Sequence, residues 1–213
     1  MLRGLTELNN MRKARTWGEF YSKPASRFLC IKNIVIHLRY LCAIILRRPR
    51  RILEIGVGLG IQSIFLSHFI KNVIALDSDK QVIMNAKTSI KRSKAEVGLV
   101  LTDAFSIPFS DRSFDVCYSQ GFLEHFTDEE IIRLFKEQLR VAESFVHSMP
   151  SDHYPWRQFG NERHLTPRAW HNLLSKSLDG NADLTIKVKY GYLPLISWFI
   201  IIEVKSKLVK SDA

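Results

Sequence analysis

The ten residues Arg51-Ile-Leu-Glu-Ile-Gly-Val-Gly-Leu-Gly60 constrain this chain more than any others. Ile52 to Ile55 is a short run with β-branched residues, and glycine follows at 56, 58 and 60. The next ten residues, 61–70, carry apolar side chains at 61, 64, 65 and 69, on one helical face. The segment therefore reads as strand, glycine turn, helix. Glycine admits positive φ and lets a ligand approach where a Cβ would stand. The helix start offers free N–H groups. Turns of this kind open nucleotide-binding α/β sheets. The dinucleotide fingerprint would need glycine at 56, 58 and 61, and position 61 is isoleucine. A glycine turn without a ligand is the plainer alternative.

The 213 residues suit one domain, and 46% hydrophobic with 24% charged residues is enough for a buried core. Cys30, Cys42 and Cys117 make no CxxC pair and no zinc set. No metal site is expected, and a reduced, cytoplasmic setting is the simplest account. The first residues are polar and basic, without the apolar core of a signal peptide. Ile34 to Leu46 is interrupted by His37 and Arg39, and Leu193 to Val204 is too short to span a bilayer. No transmembrane segment is expected.

The net charge of +10 is unevenly placed. Residues 1–51 hold 12 bases and two acids, Glu7 and Glu19, which leaves 19 bases and 19 acids for residues 52–213. Residues 1–22 read as a polar, partly helical lead-in ending at Trp17-Gly-Glu-Phe-Tyr21. Residues 26–47 have helical periodicity through Phe28, Ile31, Ile34, Val35, Leu38, Leu41, Cys42 and Ile45. Pro49 helps close that stretch. The chain thus divides into a basic helical segment, 1–50, capping the substrate side, and a domain at 51–213. The bases suit an anionic partner such as RNA, an anionic lipid surface or an acidic substrate. A solvated helix face over the sheet edge or the site mouth is the simpler reading, since no exposed aromatics interleave to stack bases.

Asn72 to Asp77 reads as a buried strand ending in a carboxylate, about twenty residues past the glycines, where an acid can accept from both ribose hydroxyls. Asp77, Ser78 or Asp79 could instead cap the helix 80–91; Asp79 suits the cap better and Asp77 the ligand. Val97 to Leu101 is the third strand, followed by Thr102-Asp103-Ala104-Phe105. Asp103 could also cap a loop turn. Strands follow at 114–119 and 143–149, with a capped helix from Thr127-Asp128-Glu129-Glu130 to Val141 between them. An aromatic loop (Tyr154, Trp156, Phe159) leads to a helix with Thr166 as N-cap and Pro167 at its first position. Residues 183–192 and 197–208 alternate as two long strands, an antiparallel pair at one edge. The alternation of strands and helices gives an α/β sheet, mostly parallel.

Glu54-x-Gly56-x-Gly58-x-Gly60 resembles the first motif of the class I S-adenosylmethionine-dependent methyltransferases. Ile107-Pro-Phe-Ser-Asp-Arg-Ser-Phe-Asp-Val116 resembles that family's "lPf-d-sFDvv" stretch, and Leu123-Glu124-His125 its "LEH" signature. The resemblance covers about residues 50–150, and more weakly to 208. A Pro-Gly-Gly turn common before the fifth strand is missing, which touches a loop only. The resemblance implies a Rossmann-like, seven-stranded, mostly parallel sheet with an antiparallel edge strand, helices on both faces and extra N-terminal helices. It implies S-adenosylmethionine as cofactor. Glu54, Gly56, Gly58 and Gly60 would pass beneath its amino-acid and ribose part, with Asp77 and Ser78 at the ribose. Asp103, Ala104 and Phe105 would frame the adenine, and Gln120 would lie near the cofactor. His125 is the candidate general base, or else a residue that orients its loop. His153, Tyr154 and His164 lie on a loop that could close over an acceptor, though a structural role is the plainer reading; Trp17 and Tyr21 could form a lid. No Asn-Pro-Pro-Tyr-like tetrad and no Pro-Cys nucleophile is present. The branch resembled mostly methylates small molecules, by direct in-line displacement. RNA or another polyanion held by the basic segment is the second reading, and a non-catalytic cofactor- or partner-binding protein the third.

Overall fold

The computed structural model of the chain describes residues 14–22, 26–157, 160–178, 184–193 and 196–206. Residues 1–13 of the expected lead-in, and Phe159, lie outside these. The strands are β1 Arg51–Ile55, β2 Asn72–Asp77, β3 Gly98–Leu101, β4 Phe114–Gln120, β5 Ala142–Pro150, β6 Leu184–Leu193 and β7 Ile196–Ser206. Among the described residues three helices precede the sheet: α1 Trp17–Phe20, α2 Arg27–Ile36 and α3 Leu38–Ile45. The others are α4 Ile61–Leu66, α5 Lys80–Ser93, α6 Asp128–Val141 and α7 Pro167–Ser177.

The strands form one sheet in the order β3-β2-β1-β4-β5-β7-β6. β1 to β5 are parallel, and antiparallel pairing is confined to β7 with its neighbours β5 and β6. This is the expected Rossmann-like sheet. The order reverses at β1, whose Leu53 pairs with Ile74 on one side and Cys117 on the other. Ligands of open α/β sheets bind beyond the carboxyl ends of strands at such a switch point. Asp77 ends β2, and residues 56–60, 78, 103–105 and 121–125 follow the carboxyl ends of their strands.

Successive residues of β1 point to opposite faces and enter different layers of the core. Leu53 and Ile55 join Phe135, Phe145 and Trp170 beneath α6 and α7. Ile52 packs with Tyr118 and Val146, and with Tyr40, Leu41, Ile44 and Leu66 on the other face. Phe135 and Phe145 stack, with ring centroids 5.1 Å apart. Local signals set the helix ends. Thr127 and Glu130 form a reciprocal capping box, and Thr166 caps α7 with Pro167 in its first turn. The loop at 107–111 is held by Arg140, which donates to the carbonyls of Ile107 and Phe109 and pairs with Asp111 and Glu137.

The stretch 26–47 is not one helix. It breaks at His37, and the two halves bend by 70°. The His37 ring is buried, meets Phe199 at 4.6 Å and lies 3.3 Å from the Ser148 hydroxyl. Burial pushes its pKa down to about 4. Anchoring this ring against the ends of β5 and β7 turns the chain, so the apolar stripe divides. Tyr40, Leu41 and Ile44 enter the core, while Phe28, Ile31, Val35 and Leu38 stay exposed. Among the described residues no single helix is long and apolar enough to cross a membrane, and no group of three His, Cys, Asp or Glu is placed to hold a metal.

Leu53 is fully buried at the centre of the sheet. Leu53→Ala is expected to cost about 3 kcal/mol, the usual scale for a truncated core leucine. Urea denaturation would show this as a lower midpoint with an unchanged slope.

Candidate functional site

The glycine turn is fixed from below by backbone. The N–H groups of Gly56 and Val57 both donate to the carbonyl of Leu76 at 3.0 Å, joining the end of β1 to the end of β2. Gly56, Gly58 and Gly60 have φ of 73°, 50° and 73°, a region costly for other residues. Space adds a second reason at two of them. A Cβ on Gly56 would stand 2.7 Å from the Phe122 ring, and one on Gly58 would stand 3.1 Å from Tyr21. Gly60 instead starts α4 from its left-handed conformation.

Glu54 lies beneath this turn, 1% exposed. Its carboxyl accepts from the Ser63 hydroxyl, which also meets the Tyr118 hydroxyl at 2.8 Å. Burial pushes its pKa up to about 8. This residue ties β1 to α4 and β4 from inside the core.

Six of the predicted cofactor residues converge on one cavity of about 220 Å³: Gly56, Asp77, Ser78, Asp103, Ala104 and Phe105. Leu76, Phe122 and Phe126 complete the lining. Asp77 Oδ1 accepts the N–H of Asp79 at 3.0 Å, and burial raises the pKa of its carboxyl. Asp79 itself is engaged elsewhere. Its Oδ1 accepts from Gln81 and Val82 to cap α5, and its Oδ2 accepts the N–H of Gly18 at 3.0 Å. The capping role therefore falls to Asp79, and Asp77 remains at the cavity wall. Asp103 Oδ1 accepts the N–H of Phe105 at 2.9 Å, which shapes the loop beneath the ring.

Besides Glu54 beneath the turn and Gly60 at the start of α4, three more predicted residues stand apart from that lining. Gly58 packs against Tyr21. Gln120 Oε1 accepts from Gln62 Nε2, which also donates to Asn33 of α2. His125 lies on a short 3-10 turn, Leu123–His125, with its ring 4.8 Å from Trp17. Burial lowers the pKa of His125, and its Nδ1 has no hydrogen-bond partner among the described residues. On the later loop, His153 is half exposed and stacks on Tyr190 at 5.1 Å. His164 pairs with Glu162 at 3.2 Å, and Tyr154 packs edge-on to it at 5.8 Å.

Tyr21 and Glu124 carry more of the site than the sequence indicated. Burial raises the Tyr21 phenol well above its ordinary range, and the carboxyls of Asp77, Glu124, Glu54 and Glu162 add to the effect. All four acids thus lie within electrostatic reach of this one hydroxyl. Glu124 is 2% exposed, its Oε2 is without a hydrogen-bond partner among the described residues, and burial pushes its pKa up to about 8. Glu124 falls in the "LEH" stretch and Tyr21 in the possible lid, but no local pattern announces that both are drawn into this cluster of acids. Tyr21 owes its position to α1 folding across the turn, held by the Gly18–Asp79 bond and by Asn85 donating to the Tyr21 carbonyl at 3.1 Å, while Glu124 sits on the 3-10 turn after β4.

The residues fit S-adenosylmethionine. A half-buried carboxylate at the end of β2 suits a ribose diol. Beside it, an acid and an aromatic ring at 103 and 105 suit an adenine, and the glycines let the turn pack closely against Phe122 and Tyr21.

The buried acids also set a pH dependence. Glu54 and Glu124 keep their protons in the folded state up to about pH 8. The unfolded chain loses those protons near pH 4.3, so this contribution to stability is present at low pH and is lost as pH rises towards 8. His37 and His147, pushed down to about 4 and about 3, have the opposite sign, and their contribution is complete above about pH 6.5. Between about pH 6.5 and 8 the carboxyls alone slope downwards, by up to about 1.4 kcal/mol per pH unit each. Thermal melts across this window are expected to fall with pH, and Glu54→Gln to flatten the fall.

Comparison with known proteins agrees with this geometry. A family model described as a methyltransferase domain matches residues 52–144. The uncharacterized methyltransferase YcgJ of Bacillus subtilis (strain 168) is 28% identical over 109 residues. That match spans 51% of this chain and 42% of the relative, less than half the relative's length. The crystal structure of YcgJ superposes with a TM-score of 0.57 at 16% identity, over 80% of this chain and 99% of that one. Magnesium protoporphyrin IX methyltransferase of Synechocystis PCC 6803, with bound S-adenosylhomocysteine, gives 0.63 at 11% identity over 96% and 94%. The plantazolicin methyltransferase BpumL gives 0.64 at 15% over 97% and 99%. The structural likenesses establish the fold, and within it residues 52–144 match the model of a methyltransferase domain.

Proposed function

We propose that this chain is an S-adenosylmethionine-dependent methyltransferase acting on a small-molecule acceptor by direct in-line displacement. The observation that carries the reading is the convergence of Gly56, Asp77, Ser78, Asp103, Ala104 and Phe105 on one cavity at the switch point of the sheet. Bound there, S-adenosylmethionine supplies a methyl group already activated on a sulfonium. The chain's own task is to hold, orient and exclude water.

In this reading Asp77 accepts from the ribose hydroxyls. Asp103 accepts from the adenine amine, with Phe105 against the ring. The glycine turn gives the amino-acid part room beside Tyr21. Trp17 and Tyr21 form a lid, which supports the division into a capping segment at 1–50 and a catalytic domain at 51–213. His125 is the proposed general base. Burial lowers the pKa of its imidazole, which favours the neutral form a base needs, and its Nδ1 has no hydrogen-bond partner among the described residues. A small acceptor agrees with a site walled by aromatic rings: Trp17 meets His125 at 4.8 Å and Phe122 meets Phe126 at 4.8 Å. The relatives named for magnesium protoporphyrin IX and plantazolicin are consistent with such acceptors.

Calorimetric titration with S-adenosylmethionine, S-adenosylhomocysteine and NADH is the direct test. Binding of the first two and not the third is expected; binding of NADH alone overturns the reading. Asp77→Ala is expected to weaken cofactor binding by about 1–3 kcal/mol, the scale for leaving buried polar groups unpaired. His125→Ala is expected to lower turnover more than cofactor affinity; unchanged turnover would leave His125 as a residue that only orients its loop.

A further inference from the structure

The bend at His37 leaves one face of the N-terminal helices uncovered by any described residue. Phe28 is 78% exposed, Ile31 63%, and Val35 and Leu38 49% each. Phe28, Ile31 and Val35 recur at steps of three and four and form one strip along α2, and Leu38 follows past the bend at the start of α3. Aliphatic and aromatic side chains this exposed and this contiguous mark a contact surface.

Charge identifies the partner. Arg27, Lys32 and Arg39 are exposed on these two helices beside the strip, and Arg48 is exposed just beyond them. No acid occurs between Glu19 and Glu54. Arg47 is engaged with Glu203, but the bases named above lie outside that pair. An apolar strip flanked by exposed cations, on two short helices bent by 70°, matches a segment lying in the plane of a lipid–water interface. Nucleic acid would use the cations and leave Phe28, Ile31 and Val35 in water. Val35 and Leu38 also line a largely apolar cavity of about 230 Å³ that reaches Phe199 and Ile201 in the first half of β7.

We propose that the outer face of α2 and the start of α3 docks this chain on an anionic lipid surface, with Phe28, Ile31, Val35 and Leu38 entering the interface and Arg27, Lys32 and Arg39 meeting the headgroups.

The test is sedimentation of the full chain with phosphatidylcholine vesicles, with and without phosphatidylserine. Binding to the anionic vesicles that weakens with salt is expected. The triple variant Arg27→Gln, Lys32→Gln, Arg39→Gln is expected to partition about a hundredfold less, the factor for three charges at about 1 kcal/mol each. Phe28→Ser with Ile31→Ser is expected to lose about tenfold or more from the removed apolar area. Both variants alter exposed side chains, so an unchanged melting temperature serves as the control for folding. Absence of binding to anionic vesicles overturns the proposal. So does tighter binding to single-stranded RNA than to vesicles, or a wild-type dimer that Phe28→Ser dissociates, since a second copy would then cover the face.

Discussion

Two backbone hydrogen bonds, from Gly56 and Val57 to the Leu76 carbonyl, set the geometry on which the site depends. They fix the end of β1 against the end of β2 where the strand order reverses. The three glycines then turn the chain with positive φ and release it into α4. Everything assembled at the cavity is referred to that junction. Asp77 is the next residue after Leu76, and Phe122 packs where a Gly56 side chain would be. A substituted glycine here would disturb both the turn and the aromatic wall, so the sequence admits little else at position 56.

The buried carboxyl of Glu54 shows how the same junction is stiffened from within. A charge at this depth is costly, and the site answers by raising the pKa and supplying hydroxyl partners from Ser63 and Tyr118. A residue expected at the cofactor therefore carries a structural duty beneath it. Glu124 is buried with its Oε2 lacking a hydrogen-bond partner among the described residues, and Tyr21 lies among several acids. The floor of the site is thus rich in desolvated acid groups facing one phenol.

Much of this was legible in the sequence because the signals are local. The glycine spacing, the carboxylate ending a strand at 77, Asp103 with Phe105, and the caps at Thr127 and Thr166 each depend on neighbours a few residues away. The sheet followed from the alternation of elements. What escaped depends on contacts between distant segments. The break at His37 arises because its ring packs against Ser148 and Phe199, more than a hundred residues later, and periodicity alone reads through it as one helix. The placement of Tyr21 and Trp17 depends on Asp79 accepting from Gly18, a bond spanning 61 residues. No composition or spacing rule announces such a bond.

The position of β7 has a consequence for how the chain is made. β5 is covered on one side by β4, but its other side is closed only by Ile196–Ser206, about fifty residues further along. During synthesis, β5 leaves the ribosome as an open edge bearing Phe145, Val146 and Met149, all buried in the finished protein. Its register with β7, Ser144 opposite Lys205 through Pro150 opposite Phe199, forms only after α7 and β6 have emerged. The step that shields the middle of the sheet is thus among the last to become possible. Until it happens, the nascent chain carries an unpaired strand edge of the kind that invites aggregation.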